Sequence, residues 1–464
     1  MENEEYDKAY ARKALILFSG FIIIVMYIET MLVPSLPSIA RQYHATSAQI
    51  SLILSLYLIS GIALNPIVGR LADIHGKKMM LKYILPVYTV AVAITGFAPN
   101  LPFILAARFI QGIGLTIFPL ALSLVREQFP RDEIPRAQGI LSAMFGAGSA
   151  IGLPIGAFIS NTYGWQVTYH TALPLVFIFT ILILLYTRES KYLRPKVNID
   201  YIGAILLALS LALLVFVLSE GTTLGWTSAP ILSMLALGLF FLAVFAKFDR
   251  KDKASVIDLP LLKKRNVLIA NLIVFIVGLS FFLGYQTYAY EFESNAPLGY
   301  GFNIFQTGLA LVPFAIMNII MAPIVGKFVS RMGAKPFLFA GSLITVAGFL
   351  VSAYSTGPIA LMAGAAIAGA GLSMLQVSLI NVLIFSIDPR DMGLATSTNT
   401  VFRFIGSALG APVAGVLIAE FASRAAFFYA FIIAVIGFAL IFAISFASDE
   451  VLGKHRKRME QFNI

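Results

Sequence analysis

The chain has 464 residues, of which 59% are hydrophobic and 12% are charged, and its formal net charge is +10. A water-soluble domain averages nearer half apolar and a quarter charged, so this composition indicates a protein of the lipid bilayer. The absence of cysteine excludes disulfides, thiol nucleophiles and thiolate metal sites. We expect neither a metal nor a catalytic centre, because the four histidines are far apart and match no metal-ligand spacing: His44, His75, His170 and His455.

Apolar windows that are long enough to cross a bilayer, about 20 residues each, recur along the whole chain. The short connections between them leave no room for a separate soluble domain. The sequence therefore predicts an all-α membrane protein with 14 transmembrane helices. In chain order these are 14–33, 48–69, 79–98, 101–125, 137–160, 166–187, 201–219, 229–246, 266–290, 304–326, 336–354, 357–385, 393–419 and 424–447.

The basic residues predict the orientation of these helices. The segment after Lys13 is too long for a signal h-region, so we interpret it as the first membrane helix. With the N-terminus in the cytoplasm, 29 of the 33 Lys and Arg residues fall on cytoplasmic segments. The positive-inside rule requires such a bias, which places both termini in the cytoplasm. The net charge then reflects orientation rather than a nucleic-acid partner, and we expect the basic tail 454–458 to lie near anionic headgroups.

Three short landmarks recur at nearly one offset. Residues 66–70 (PIVGR) match 323–327 (PIVGK) at an offset of 257, and each landmark keeps its predicted membrane level in both copies. This predicts two parallel, pseudosymmetric six-helix bundles with two extra helices between them. Transporters built from parallel repeats bind their substrate between the repeats. The other two pairs are 130–132 with 389–391 and 152–154 with 410–412; the predicted domains are 1–190, 191–265 and 266–464.

Two segments resemble signatures of the major facilitator superfamily. GRLADIHGKK (69–78) is similar to its G-x-L-a-D-r-x-G-r-k loop, and LAARFIQGIG (105–114) to its fourth-helix R-x-x-q-G-x-g motif. The fourteen spans and the seventh-helix segment 199–221 resemble the drug:proton antiporter branch. A fifth-helix signature bears on antiport but departs from the family pattern, since its proline is shifted by one place and Ala157 replaces the last glycine; it comprises Gly148, Gly152, Pro154 and Gly156.

The resemblance implies that the first segment is a lock between the halves in the outward-open state, with Asp73 and Arg70 as its charges. The apolar span is expected to end near Gly69, and an acid on the following loop can sit at the N-terminus of a neighbouring helix. The alternative is a solvated loop that only sets topology. The second copy has Ser330 in place of Asp73. The lock residues are Gly69, Arg70, Asp73, Gly76, Lys77 and Lys78.

Two arginines fall inside membrane helices, where a charge requires a partner or a wet cavity. Arg108 shares a helical face with Gln111. The resemblance implies a part in proton coupling, and a structural ion pair that fixes helix packing is the alternative. Arg403 either pairs with a carboxylate across the cavity or serves packing, and the sequence does not choose between them. Tyr57 completes this group of candidate cavity residues.

Acidic candidates lie in the first and ninth helices. Glu29 is the only carboxylate in the body of the first helix, where it can load and release a proton or bind a cation; a carboxylate hydrated near the outer interface is the alternative. The ninth helix ends in tyrosines beside carboxylates, which suit a lipophilic cation but are also typical of an interfacial belt. The candidate ligands there are Gln286, Tyr290, Glu291 and Glu293.

Small residues recur every four positions in the fifth and thirteenth helices. The fifth helix has Gly148, Gly152 and Gly156, and the thirteenth has Gly406, Gly410 and Ala414. This spacing permits close helix packing. It also suggests a flexible seam at which the halves rock.

The function predicted from these features is proton-coupled efflux of lipophilic small molecules, with cations among the candidate substrates, by alternating access. Uptake or exchange of a metabolite is the alternative within transport. An enzyme is not expected, because no cluster of catalytic groups is found at one depth, and a sensor would usually append a soluble domain. No P-loop is present, which leaves a secondary energy source. Protons are the expected coupling ion, with Na⁺ as the alternative, and no other cofactor is expected. The expected partners are a small-molecule substrate and the bilayer, with no nucleic acid, and the protein is expected to be monomeric.

Overall fold

The structure is a computed structural model that describes residues 8–130, 133–190, 193, 199–249, 257, 262–386, 392–421 and 423–446. Within these ranges the chain is helical and contains no strand. Fourteen helices are long and apolar enough to cross a membrane, which confirms the predicted fold class. They are α1 (Lys8–Thr30, continued by Val33–Ser35 and Leu36–Gln42), α2 (Ser47–His75), α3 (Lys77–Gly96), α4 (Leu101–Gln111, Gly112–Thr116 and Ile117–Gln128), α5 (Ile134–Tyr163), α6 (Trp165–Tyr186), α7 (Tyr201–Leu224), α8 (Ala229–Asp249), α9 (Arg265–Glu293), α10 (Ile304–Met332), α11 (Lys335–Ala353), α12 (Pro358–Ser386), α13 (Met392–Phe421) and α14 (Arg424–Phe446).

We call α1–α6 the first half and α9–α14 the second half. The side of the membrane at which α1 begins is the N side, and the opposite side is the far side. The charge bias of the sequence predicts that the N side is the cytoplasm. The division into 1–190, 191–265 and 266–464 stays a prediction.

Corresponding helices of the two halves begin and end with the same local chemistry. Thr46 forms a capping box with Gln49 at the start of α2, and Asn303 forms one with Gln306 at the start of α10. Each box satisfies free backbone N–H groups of the first turn. Both helices contain 29 residues and end at a glycine with positive φ. All these positions correspond at an offset of 257. The repeat therefore includes the helix ends, which the apolar windows of the sequence do not locate.

The end of α2 differs from the prediction. The helix runs to His75 rather than ending near Gly69, because the first residue with a helix-breaking conformation is Gly76, at φ 104°. That φ favours glycine. Arg70 and Asp73 therefore lie on a helix and not on a loop. The landmark pair 130–132 and 389–391 cannot be compared, because residues 131–132 and 389–391, like the tail 454–458, lie outside the described residues.

The glycine rows of α5 and α13 pack inside each half. A Cβ added to Gly152 would lie 2.2 Å from Oγ1 of Thr30 on α1. In the second half, a Cβ added to Gly410 would lie 2.1 Å from the carbonyl oxygen of Leu279 on α9. The close packing predicted for these rows is present. The idea that they form a seam between the halves is wrong, because each row faces a helix of its own half. Gly148 and Gly156 meet α1 in the same way, and Pro154 lies inside α5 between them.

Candidate functional site

A cavity lies between the two halves. It is lined by α1, α2, α4 and α5 of the first half and by α9, α10, α12 and α13 of the second. The lining is largely apolar, with a small number of polar groups, which is the composition typical of small-molecule sites. The lining residues with polar side chains are Glu29, Thr30, Ser149, Tyr285, Asn318, Gln376, Arg403 and Ser407.

Two opposite charges line this cavity, one from each half. Glu29 of α1 lies within electrostatic range of both Arg403 and Arg108. No salt bridge of 4 Å or less joins Glu29 to either arginine among the described residues. The guanidinium of Arg403 lies 5.3 Å from the ring centroid of Phe404. The sequence left the role of Arg403 open; the structure places its side chain on the wall of the cavity that Glu29 also lines.

An aromatic wall stands on the second-half side of the cavity. The rings of Phe281 and Tyr285, one turn apart on α9, are stacked with centroids 5.3 Å apart. Phe314 of α10 packs on both, at 5.7 Å and 5.9 Å. Such ring faces attract a cation and accommodate apolar groups. Sequence reasoning missed Phe281 and Phe314, since nothing in the sequence distinguishes them among 38 phenylalanines.

Arg108 lies behind the cavity, fully buried within the first half. Its Nε donates to the carbonyl of Ile53 at 3.0 Å, and its Nη1 donates to Oε1 of Gln111 at 3.0 Å. The ring of Tyr57 lies under the guanidinium, with the centroid 4.7 Å from Cζ. Gln111 in turn donates to the carbonyl of Ala91 at 3.1 Å. The predicted shared face of Arg108 and Gln111 is confirmed. Within the described chain Arg108, Gln111 and Tyr57 do not line the cavity, and their part in proton coupling stays a prediction.

The polar stripe at the end of α9 does not line the cavity either. Gln286 donates to the backbone carbonyl of Ser47 on α2 at 3.3 Å. Glu293 binds Arg41 and Ser38, which lie in the Leu36–Gln42 segment of α1 on the far side. Tyr290 is 7% exposed, and its hydroxyl has no hydrogen-bond partner among the described residues. The helical spacing correctly predicted one face for Gln286, Tyr290 and Glu293. That face meets the first half instead of the substrate space.

Further contacts join the halves on the far side. Ser47 of α2 donates to the carbonyl of Gly415 on α13 at 2.7 Å, and Ser55 donates to the carbonyl of Ala408 at 2.7 Å. A Cβ added to Gly415 would lie 2.6 Å from the Cα of Ala48, so the two backbones are in direct contact. These bonds to main-chain carbonyls hold α2 against α13 over the far-side part of both helices.

The extra helix α7 contacts both halves on the far side. Oε1 and Oε2 of Glu220 accept from Nε2 of Gln49 at 3.0 Å and 3.1 Å, which connects α7 to the start of α2. The indole of Trp226, just after α7, donates to Glu420 of α13 at 2.9 Å. The added helix pair is therefore joined to the same two helices that close the far side.

The predicted lock segment makes its contacts on the N side. Asp73 pairs with Lys77 one turn later at 3.8 Å, and Lys77 also binds Glu127 of α4. Within the described residues Arg70 forms no salt bridge. No described atom lies within 4 Å of a Cβ placed at Gly69. Gly76 and Lys77 are buried, whereas the other lock residues are half-buried or exposed, and the ion pairs of this segment stay within the first half.

The acid that sits at a neighbouring helix N-terminus is Glu189, and Asp73 was the wrong candidate. The Glu189 carboxylate accepts from the backbone N–H of Lys78 at 2.8 Å and of Met79 at 3.0 Å, in the first turn of α3. A negative charge there is favoured by the helix dipole. A Cβ on Gly76 would lie 2.6 Å from the Glu189 carboxylate, so glycine is required for this approach as well as for its φ.

Comparisons with known proteins agree with this arrangement. The sequence model of the Major Facilitator Superfamily matches residues 18–298 and 272–462. The chain is 27% identical over 411 residues to the multidrug transporter protein MdtP of Bacillus subtilis, covering 87% of this chain and 75% of that protein. It is 25% identical over 410 residues to the multidrug resistance protein Stp of Mycobacterium tuberculosis, with coverages of 87% and 75%. Its fold resembles a bacterial homologue of the human lysosomal transporter Spinster, with a TM-score of 0.70 at 14% identity over 95% of this chain and 98% of that one.

Proposed function

Because this chain belongs to the major facilitator superfamily and is therefore a multi-pass membrane transporter, we propose that it exports lipophilic, cationic small molecules in exchange for protons. The observation that carries the proposal is the cavity between the halves, where Glu29 lies opposite Arg403 beside an aromatic wall. The names of the multidrug relatives support it. In this proposal the N side is the cytoplasm, as the charge bias of the sequence predicts.

Alternating access requires the cavity to open to one side at a time. In the present conformation the far side is held by Ser47, Ser55 and Glu293, whereas Gly69 and Gly326 on the N side have no described atom within 4 Å of an added Cβ. This arrangement supports an inward-open state in which substrate enters from the cytoplasm. The Asp73 segment then engages the second half when the N side closes, as the family resemblance implies.

Glu29 is the group that we propose to carry the proton. A carboxylate beside rings binds a cation when it is ionised and releases it when it is protonated. Arg403, from the opposite half, favours the ionised form of Glu29 only while the halves hold the two charges in range. A change in the separation of the halves therefore changes which form of Glu29 is stable, and this couples proton transfer to the opening of the cavity.

Arg108 has a supporting role in this proposal. Its guanidinium is within electrostatic range of Glu29, and its position is fixed by Ile53, Gln111 and Tyr57. It supplies a constant positive potential, in contrast to Arg403, which moves with the second half. The lipid bilayer and the transported molecule are the only partners proposed, and the unit of transport is a monomer.

The test uses everted membrane vesicles that contain the protein, with ethidium as the lipophilic cation and a pH-sensitive dye in the lumen. Wild-type protein should accumulate ethidium when the lumen is acidified and should release luminal protons as it does so; an uncoupler should abolish both. Glu29→Gln should abolish ethidium-driven proton release, and Glu133→Gln, on the N side, should leave it intact. Proton release that persists in Glu29→Gln contradicts the assignment of Glu29. Ethidium accumulation that persists in the presence of the uncoupler contradicts proton coupling. Ethidium transport in the opposite direction, out of the vesicles, favours the metabolite-uptake alternative.

A further inference from the structure

A second pocket lies in the second half on the far side, away from the central cavity. It is formed by the last turns of α9 and α11 and the first turns of α14. Glu291 of α9 reaches it from inside the protein, and Arg424 stands at the start of α14 on its rim. Aromatic side chains form much of the remaining wall: Phe427, Phe428, Tyr429 and Phe431.

The pocket holds a carboxylate without a partner. Glu291 is 4% exposed, and its Oε2 is buried without a hydrogen bond to any described residue. Oγ of Ser355, in the same pocket, is likewise buried and unbonded among the described groups. A buried polar atom without a partner is costly, so a hydrogen-bond donor that reaches it is favoured. Because Glu291 and Ser355 both line this pocket, the pocket offers two acceptors to such a donor.

Arg424 does not neutralise this carboxylate directly. Its Nη2 donates to the hydroxyl of Tyr300 at 2.8 Å, and its guanidinium lies 5.1 Å from that ring centroid. No salt bridge within 4 Å joins Arg424 to Glu291 in the described part of the chain. The arginine therefore stays at the rim, where it can meet an anionic group, while Glu291 remains available to a cation deeper in the pocket.

The position of the pocket relates it to the membrane surface. Glu291 lies two residues before the end of α9, and Arg424 is the first residue of α14. Tyr354 and Tyr429 are exposed at the same ends of α11 and α14, as aromatic residues commonly are at the headgroup level. A ligand at this depth is an amphiphile whose polar end reaches the protein from the interface.

We propose that this pocket binds the ammonium group of an amphiphile at the far membrane surface. The carboxylate of Glu291 and the hydroxyl of Ser355 accept its N–H groups, and the aromatic side chains that line this pocket provide cation–π contact. A metal ion is a poor fit, since one carboxylate and one hydroxyl are too few hard ligands. The ammonium has two possible sources, a phosphatidylethanolamine headgroup, whose phosphate would meet Arg424, and a soluble amphiphilic amine. The site is separate from the cavity and does not depend on the proposed direction of transport.

Native mass spectrometry of the purified protein tests the proposal with three probes. One is phosphatidylethanolamine mixed equally with phosphatidylglycerol, the second is the same lipid N-acetylated so that its ammonium is removed, and the third is dodecylammonium. We expect the wild-type protein to bind an ammonium probe at least about 10-fold more tightly than Glu291→Gln does, since a charge-assisted hydrogen bond is lost. Glu420→Gln removes an exposed acid on the same side and should bind as the wild type does.

The outcomes separate the two sources. Glu291-dependent binding of phosphatidylethanolamine alone identifies a lipid headgroup site, and such binding of dodecylammonium alone identifies a site for soluble amphiphiles. Binding of both supports the shared ammonium chemistry. The proposal is overturned if the native and N-acetylated lipids bind equally and dodecylammonium binds Glu291→Gln as tightly as it binds the wild type. If Glu291→Gln fails to fold, the comparison of the native and N-acetylated lipids on the wild-type protein still tests lipid binding. In that case Ser355→Ala replaces Glu291→Gln in the dodecylammonium measurement.

Discussion

Arg41 and Glu293 form a salt bridge that joins the two halves on the far side, with the arginine side chain 61% exposed and the glutamate side chain 3% exposed. Ser38 donates to the same carboxylate oxygen, so one buried acid serves two groups of the first half. Glu293 was predicted from the sequence as a candidate substrate ligand. Its pairing with Arg41 makes Glu293 part of the closure of the far side.

The first prediction concerns this closure. Glu293→Gln should shift the protein towards a far-side-open state by about 2- to 5-fold, because the ion pair is lost and only its Arg41 side is exposed to water, which weakens the pair. The chain contains no cysteine, so Val33→Cys on the cavity wall gives a single labelling site. A membrane-impermeant maleimide added on the far side should label it faster in the Glu293→Gln background. Glu133→Gln serves as the control, and equal labelling rates in all backgrounds contradict the assignment.

The second prediction concerns the lock. Asp73→Asn should lower ethidium transport about 10-fold while leaving the amount of inserted protein unchanged, if the charge acts when the N side closes. In the present state its only described ion pair is the 3.8 Å contact with Lys77, so little stability is at stake. Transport by reconstituted protein is the measurement, with Glu133→Gln as the matched loss of one negative charge on the N side. Near-normal transport by folded Asp73→Asn would contradict the lock and would favour the alternative in which the segment only sets topology.

The third prediction compares two glycines of one motif. Gly76→Ala should lower the free energy of unfolding by about 1–3 kcal/mol, because alanine is strained at positive φ and its Cβ would collide with Glu189. Gly69→Ala, inside the helix with open space around it, should be neutral or stabilising by up to about 1 kcal/mol. Thermal unfolding of the two purified variants measures the difference. Equal midpoints would mean that the α2–α3 junction relaxes freely.

The fourth prediction distinguishes the two membrane arginines. Arg108→Lys should reduce the yield of folded protein and the thermal midpoint, because one ammonium cannot replace donors directed at both Ile53 and Gln111. Arg403→Lys keeps the cavity charge and should fold normally. Its transport should fall less than that of Arg403→Gln, which removes the charge opposite Glu29. If Arg108→Lys folds as well as the wild type, the hydrogen-bonded network is not what holds this arginine.

The fold was predictable from the sequence because apolar length and basic loops are direct physical requirements of a bilayer. The end of α2 was mispredicted for a related reason. Hydropathy marks where the bilayer ends, whereas the helix continues until Gly76 breaks it. The capping boxes at Thr46 and Asn303 were present in the sequence and would have given the helix starts.

The candidate site was predictable only where a residue type is rare in a membrane. Glu29 and Arg403 stood out because charges inside spans are few, and the structure brings them to one cavity. Helical spacing also grouped Gln286 with Glu293 correctly. It could not show which neighbour that face meets, since this depends on how α9 packs against α2. Phe281 could not be found at all, because an aromatic wall is defined by tertiary contacts.

The bonds of α7 have a consequence for how a fourteen-helix chain can evolve and be engineered. Glu220 holds the first half through Gln49, and Trp226 holds the second through Glu420. A reorientation that parts the far side must release or stretch one of these two anchors. The inserted pair therefore ties the two halves together on the far side, and a shortened chain that lacks it would lose both anchors.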